Sequence, residues 1–115
     1  MNGKQKLVHS LFSNINKSNR LHKQLIVHIL KYLTTETKTN TVHYFEFNGK
    51  KEGEYKEWHG NGKLWVHGLY QNGKLHGEYK LWHANGQLNI HCFCQNDKKE
   101  GEYKEWHGNG KLWVH

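Results

Sequence analysis

The sequence predicts an α+β protein, with N-terminal amphipathic helices followed by an elongated antiparallel β-meander of stacked hairpin repeats. Three observations carry this expectation. A stretch beginning Asn48-Gly-Lys-Lys-Glu-Gly-Glu-Tyr-Lys-Glu-Trp-His recurs at a spacing of 24 residues, so Gly53, Tyr55, Trp58, His59, Leu64 and His67 have counterparts at Gly77, Tyr79, Trp82, His83, Leu88 and His91. Asn-Gly pairs punctuate the repeats at 48–49, 61–62, 72–73 and 85–86. Apolar residues at helical spacing, by contrast, belong to residues 4 to 33. A period between 20 and 50 residues marks an array whose units bury their apolar faces only against neighbours.

In the N-terminal segment, Leu7, Val8, Leu11, Phe12 and Ile15 describe one helical face with Lys4, Lys6 and Lys17 at its margins. Such a basic amphipathic helix either docks its stripe on the rest of the protein or lies on an anionic membrane surface. After the break at Asn16-Lys17-Ser18-Asn19, the residues Leu21, Leu25, Ile26, Ile29, Leu30 and Leu33 describe a second helix that Ser18 or Asn19 can cap. The Thr-rich polar run from Thr34 to Asn40 reads as a linker.

Seven strands are expected, at 41–47, 53–58, 63–70, 76–82, 87–94, 100–106 and 111–115. The four Asn-Gly pairs suit type I′ turns, which need positive φ at both central positions. Asn96-Asp97 lacks the glycine and is the weakest turn, costing up to about 2 kcal/mol. Counting outward from two-residue turns sets Val42 opposite Tyr55, Val66 opposite Tyr79 and Ile90 opposite Tyr103, three equivalent pairs of a β-branched residue with an aromatic. Leu64, Tyr70, Leu75, Leu81, Leu88 and Leu112 share that face, which is taken as the buried one, with the helices as its cover. The opposite face carries Trp58, Trp65, Trp82, Trp106 and Trp113 beside lysines, glutamates and histidines. There Trp58 opposes Trp65, His67 opposes Glu78 and His91 opposes Glu102. A bulge at Trp58-His59 and its equivalents would instead turn the indoles inward.

Composition narrows the function classes. The formal charge is +7, and residues 1 to 40 hold seven Lys or Arg against Glu36 alone. A basic segment of this kind fits an anionic membrane, nucleic acid or an acidic partner, as well as plain solvation. Cys92 and Cys94 read as reduced thiols, because residues i and i+2 on a strand lie at the outer limit of disulfide reach. The eleven histidines do not imply zinc: one repeat is two strands, about 9.6 Å across a sheet, and zinc ligand bonds are about 2 Å. Nucleophile arrangements, paired acids in a cleft and phosphate loops are missing, so no catalysis, cofactor or metal is expected. No apolar run exceeds Leu25-Ile26-Val27, far short of the ~20 residues of a membrane span, and a soluble cytoplasmic protein is the expectation.

The unit Gly53-Glu-Tyr-Lys-Glu-Trp-His-Gly-Asn-Gly-Lys-Leu, continued by Tyr70-Gln-Asn-Gly-Lys-Leu-His-Gly77, resembles the MORN repeat in its longer variant form over residues 41 to 115. That resemblance implies stacked hairpins in an elongated sheet and a non-catalytic module for protein contact, dimerisation or membrane association. Separately, exposed indoles are enriched in binding hot spots, which makes Trp58, Trp65, Trp82, Trp106 and Trp113 the candidate docking residues. Leu21-His-Lys-Gln-Leu-Ile-Val-His-Ile-Leu-Lys-Tyr-Leu33 resembles the first half of an F-box, with His22 and Gln24 in place of the usual proline and glutamate. It implies recruitment of a Skp1-type adaptor of a ubiquitin ligase through Leu25 and Ile29. The near-identical copies, rich in Lys and Asn, also look like repeat proteins of large AT-rich DNA viruses, which would place the protein in host cytoplasm. The expected organisation is a helical segment 1–40, then an array with a half repeat 41–47 and repeats 48–71, 72–95 and 96–115, the last truncated. Residues 111 to 115 form an edge strand, expected either to mark a shortened array or to self-associate by strand addition.

Overall fold

The computed structural model describes residues 3–114. Helix α1 (Gly3–Asn14) runs into a single 3-10 turn (Ile15–Lys17), and helix α2 (Arg20–Leu33) follows. Asn19 is the cap: its side-chain oxygen accepts from the His22 N–H at 2.9 Å, satisfying one of the donors that a helix start leaves free. The apolar stripes of the two helices meet around the sheet. Val8, Leu30 and Phe47 are buried at the centre, with Leu11, Phe12, Ile15, Ile26 and Leu33 packed against them. Of the two alternatives for the first helix, docking on the protein is the one the structure shows.

Ten antiparallel strands follow: β1 (Thr35–Lys38), β2 (Val42–Phe47), β3 (Lys50–Lys51), β4 (Gly53–Trp58), β5 (Leu64–Gln71), β6 (Lys74–Leu75), β7 (Gly77–Trp82), β8 (Leu88–Gln95), β9 (Lys98–Trp106) and β10 (Leu112–Val114). The long strands lie in the order β1-β2-β4-β5-β7-β8-β9-β10, with β3 paired to β2 and β6 to β5. His115, expected in the last strand, lies outside the described residues. The run from Thr34 to Asn40 is not a linker, because Thr35–Lys38 pairs with β2 from Thr35↔Glu46 to Lys38↔His43. Its β-branched threonines suit a strand, the Thr39 hydroxyl accepts from Thr41 N–H and Val42 N–H in the turn, and Glu36 meets His43 at 2.8 Å.

Two kinds of turn alternate along the chain. Asn48-Gly49, Asn72-Gly73 and Asn96-Asp97 have positive φ at both positions, as type I′ requires. Asp97 adopts this strained conformation (φ 68) while its carboxylate accepts from the Leu75 N–H at 2.7 Å, a bond that offsets the strain. At 61–62 and 85–86 the type I′ expectation fails: only Gly62 and Gly86 have positive φ. Here the His59 N–H reaches Lys63 O at 2.8 Å and the Gly62 N–H reaches His59 O at 2.9 Å, which is the three-residue loop ending on a left-handed glycine. The extra loop residue shifts the register between Glu57 and Trp58, so Trp58 pairs with Leu64 and not with Trp65.

At the opposite edge the register jumps by two. Glu46 pairs with Lys51, yet His43 pairs with Lys56, because Glu52-Gly53 bulges out with Gly53 at φ 81. The expected aromatic pairs are therefore displaced: Val42 faces Glu57, Val66 faces Leu81 and Ile90 faces Glu105. A shift of two keeps every residue on its expected face. Glu57 and Glu105, set opposite apolar partners, accept from the hydroxyls of Tyr55 and Tyr103.

The helices cover the other face from the one expected. Phe45 and Phe47 alternate with Tyr44 on β2, and the Phe12 ring lies 5.2 Å from that of Phe45; the helices thus sit on the face that also carries Lys56 and His67. The Tyr face is closed differently, by residues of the short β3 and β6 hairpins and the start of β9 folding back over it. The Lys51 ammonium lies 5.3–5.6 Å from the rings of Tyr44, Tyr55 and Tyr70, Leu75 abuts Gly68, and Lys99 stands 4.2 Å over Tyr103. Val66, Cys92 and Cys94 are buried there, whereas Leu112 is 54% exposed, contrary to its expected burial.

Gly53, Gly77 and Gly101 hold the same place in successive units, but only Gly53 lies under a helix. A Cβ at Gly53 would come within 2.4 Å of Phe12, while one at Gly101 (φ 77) would meet nothing within 4 Å. Gly53→Ala should therefore cost about 2–5 kcal/mol, combining left-handed strain of about 1–2 kcal/mol with overpacking of about 1–3 kcal/mol. Gly101→Ala should cost the strain alone. Chemical denaturation of the two variants side by side tests the difference.

Candidate interaction surface

One edge of the sheet is built from the glycine-ended turns, and there each unit is fastened to the next. The Asn61 side chain accepts from the Lys63 N–H at 3.0 Å and donates to Ala84 O at 2.8 Å. Asn85 repeats this with the Gln87 N–H at 2.9 Å and Gly108 O at 2.7 Å. His59 Nε2 donates to Trp82 O at 2.9 Å and His83 Nε2 to Trp106 O at 3.0 Å; since a carbonyl only accepts, both imidazoles carry their proton on Nε2. His59 and His83 thus tie successive units together. Among the described residues no group of three or more His, Cys, Asp or Glu side chains could hold a metal ion.

The five tryptophans divide in two. Trp58, Trp82 and Trp106 are half-buried, and the backbone of the latter two forms part of this ladder. Trp65 and Trp113 are 43% and 61% exposed, each stacked on a histidine of its own turn, His59 at 5.1 Å and His107 at 4.9 Å. The equivalent place in the middle unit is Asn89, which interrupts the row.

On the helix-bearing face, charged groups pair within a hairpin rather than with the next unit. His91 meets Glu78 at 2.9 Å, not Glu102, and His67 approaches Glu54 at 4.0 Å, not Glu78. The cause is register: Lys80 stands opposite His67 and His91 alike. Burial pushes the His67 pKa down, against the pull of Glu54, and its buried Nε2 has no hydrogen-bond partner. Burial alone would raise Glu78, but the bond from His91 and the nearby Lys80 hold it below the usual carboxylate value. Between α1 and the sheet lies a depression of about 360 Å³ flanked by His9, Asn16, Glu54 and His76.

Among the described residues, three strongly exposed apolar side chains lie together on α2. Leu21, Leu25 and Tyr32 are 73%, 57% and 89% exposed, on the side away from Ile26, Leu30 and Leu33. The sequence reading singled out Leu25 and Ile29; Leu25 is on the outer face and Ile29 is half-buried beside it. Leu21 and Tyr32 were missed, although 21, 25 and 32 fall at i, i+4 and i+11, one side of a helix. No helix among the described residues is long and apolar enough to cross a membrane.

Residues 51–72, 75–96 and 99–115 match the family model of the MORN repeat variant. No curated protein matches the chain.

Two titrations give opposite pH signatures. The carboxylate of Glu52, 1% exposed, accepts from the Asn72 N–H at 2.7 Å and leaves Oε2 unpartnered; burial raises its pKa, partly offset by the Asn72 bond and by His9. Its native preference for the neutral form contributes stability below the ordinary value of 4.5 that is lost as pH rises through the folded value. Glu52→Gln keeps an acceptor for Asn72 and should raise the melting temperature at pH 7 while leaving it unchanged well below pH 4.5. His67, depressed from 6.5, contributes stability that is present above that pH and lost as pH falls toward its folded value. Thermal melts of His67→Gln should accordingly show a flatter acid limb than the unsubstituted protein.

Proposed function

The chain belongs to the MORN repeat variant family, and from that membership we propose that it works as a non-catalytic protein-interaction scaffold. Repeats of this family are commonly protein- or membrane-interaction modules. The observation that carries the reading here is the outward stripe of Leu21, Leu25 and Tyr32 on a helix whose other side is buried in the core. Exposed apolar side chains grouped on one surface mark interaction sites, and tyrosine is among the residues enriched in binding hot spots. Trp65 and Trp113 offer a second contact at the turn edge, with Trp58, Trp82 and Trp106 behind them. The proposed division is a helical segment 1–40 that carries the first contact and an array 41–115 that carries the second.

A Skp1-type adaptor is the partner that the F-box-like spacing of α2 would select, through Leu25 and Ile29. Membrane association would rest on charge, from Lys4, Lys6, Lys17, Arg20 and Lys23, because the apolar stripe of α1 is already buried in the core. Self-association would run through residues 111 to 115, with Leu112 and Trp113 exposed on β10 and a partner strand added beside them.

The test uses the full chain as bait, with Leu21→Asp/Leu25→Asp as one variant and Trp65→Ala/Trp113→Ala as another. All four side chains are exposed, so circular dichroism should be unchanged. The α2 variant should lose its captured proteins by about 30-fold in affinity, the equivalent of one hot spot of about 2 kcal/mol. Purified adaptor and anionic vesicles, added separately, report which class of partner is bound. Equal capture by the parent and both variants would overturn these two contact surfaces, and capture of no protein by the parent chain, with neither probe bound, would overturn the scaffold reading.

A further inference from the structure

We propose that Cys92 and Cys94 form a two-sulfur binding site for a soft monovalent cation of the Cu(I) class. Both thiols are free, and they lie on the same face of β8, 2% and 8% exposed. Cys92 stands between Tyr79 and Tyr103 on the two neighbouring strands, and Cys94 between Gly77 and Lys99. A depression of about 200 Å³ opens beside them, walled by Leu75, Tyr79, Ile90 and Tyr103, with Asp97 and Lys99 at its polar side. The repeat frame does not require them, since Gly68 and Tyr70 occupy the same places in the preceding unit.

The spacing that disfavours a disulfide favours a bridging atom. Residues i and i+2 on a strand have Cα atoms about 6.6–6.8 Å apart, at the far end of the range a disulfide bond of about 2.05 Å can close. A metal inserted between the sulfurs replaces that bond by two of about 2.3 Å each, on the scale of zinc–thiolate bonds, and allows a sulfur–sulfur span of up to about 4.6 Å. The donor set then selects the metal. Among the described residues no third His, Cys, Asp or Glu joins the pair, and Asp97 already accepts from the Leu75 N–H. Two thiolates without further ligands do not satisfy tetrahedral zinc or an octahedral hard cation, whereas soft sulfur donors select Cu(I).

The charge balance also closes. Each thiol gives up its proton as the metal binds, so Cu(I) and two thiols yield a complex with one negative charge and two released protons; no oxidant or reductant takes part. Lys99 stands opposite Cys94 on β9 and lines the same depression, which places its ammonium as the counter-charge.

The experiment titrates the reduced full chain with Cu(I) anaerobically, against bicinchoninate as competing chelator. The expected result is one equivalent retained by the protein, a thiolate-to-copper ultraviolet absorption, two protons released, and no retention of Zn(II) at the same site. X-ray absorption of the copper-loaded parent chain should show two sulfur neighbours, a readout that needs no variant. Cys92→Ser and Cys94→Ser should each abolish the absorption. Failure of the parent chain to retain Cu(I), histidine nitrogen in place of sulfur around the metal, or undiminished absorption in the double serine variant would each overturn the site.

Discussion

The asparagines of the glycine-ended turns hydrogen-bond in two directions, inward to their own strand and outward to a carbonyl of the following unit, and the remaining architecture depends on that double role. Asn61 and Asn85, with His59 and His83, place donors at a separation of 23 residues from their acceptors. Each such bond contributes about 0.5–1.5 kcal/mol net, small against the strand pairing itself. Their importance lies in register: they hold adjacent turns at one fixed offset, so every following pair of strands inherits the same alignment. An array of this type is stabilised by the sum of its unit and nearest-neighbour terms.

A sheet built this way presents two faces that must be closed by different means. On the Phe45–Phe47 side, α1 and α2 supply the cover, and Gly53 permits the close approach of Phe12. On the tyrosine side the chain covers itself, because the bulge at Glu52-Gly53 and its equivalents turns residues 51, 75 and 99 back over the rings. Lys51 and Lys99 do this with ammonium groups over tyrosines, and Leu75 with apolar contact. The helices close only the first strands, and the outward stripe of α2 and the stacked Trp65 and Trp113 remain exposed at the surface.

The repeat, and the order and position of the strands from β2 onward apart from the two-residue β3 and β6, were legible in the sequence because a 24-residue period leaves few alternatives once two copies are seen. The strand β1 was not, because Thr35–Lys38 lies outside the repeat and carries no apolar alternation; its pairing with β2 is a tertiary effect. The pairing register was misread for two local reasons: the bulge at Glu52-Gly53 and its equivalents moved the Val–Tyr pairs by two, and the three-residue loops moved Trp58 and Trp82. Asn-Gly occurs in both kinds of turn, once for positive φ at both residues and once for the side-chain bonds of asparagine beside a left-handed glycine, and the dipeptide alone does not distinguish them. Which face the helices cover was also misread, since the Val–Tyr pattern pointed to one core while Phe45 and Phe47, just before the first full unit, supplied the other. On the candidate contact surface, Leu25 was legible from helical spacing, whereas the exposure of Leu21 and Tyr32 and the division of the tryptophans depended on packing that no single unit encodes.

The central claim is that inter-unit bonds at a fixed offset, and not contacts peculiar to one unit, hold the array. Deleting residues 72–95 tests it most directly, because joining Gln71 to Asn96 brings Trp106 O to His59 and Gly108 O to Asn61, the roles that Trp82 and Ala84 play in the intact chain. Denaturation followed by circular dichroism should show a sheet that still unfolds in one cooperative step, at a lower midpoint that reflects one unit fewer. Loss of the sheet in the shortened chain would contradict the account and locate stability in contacts specific to the middle unit.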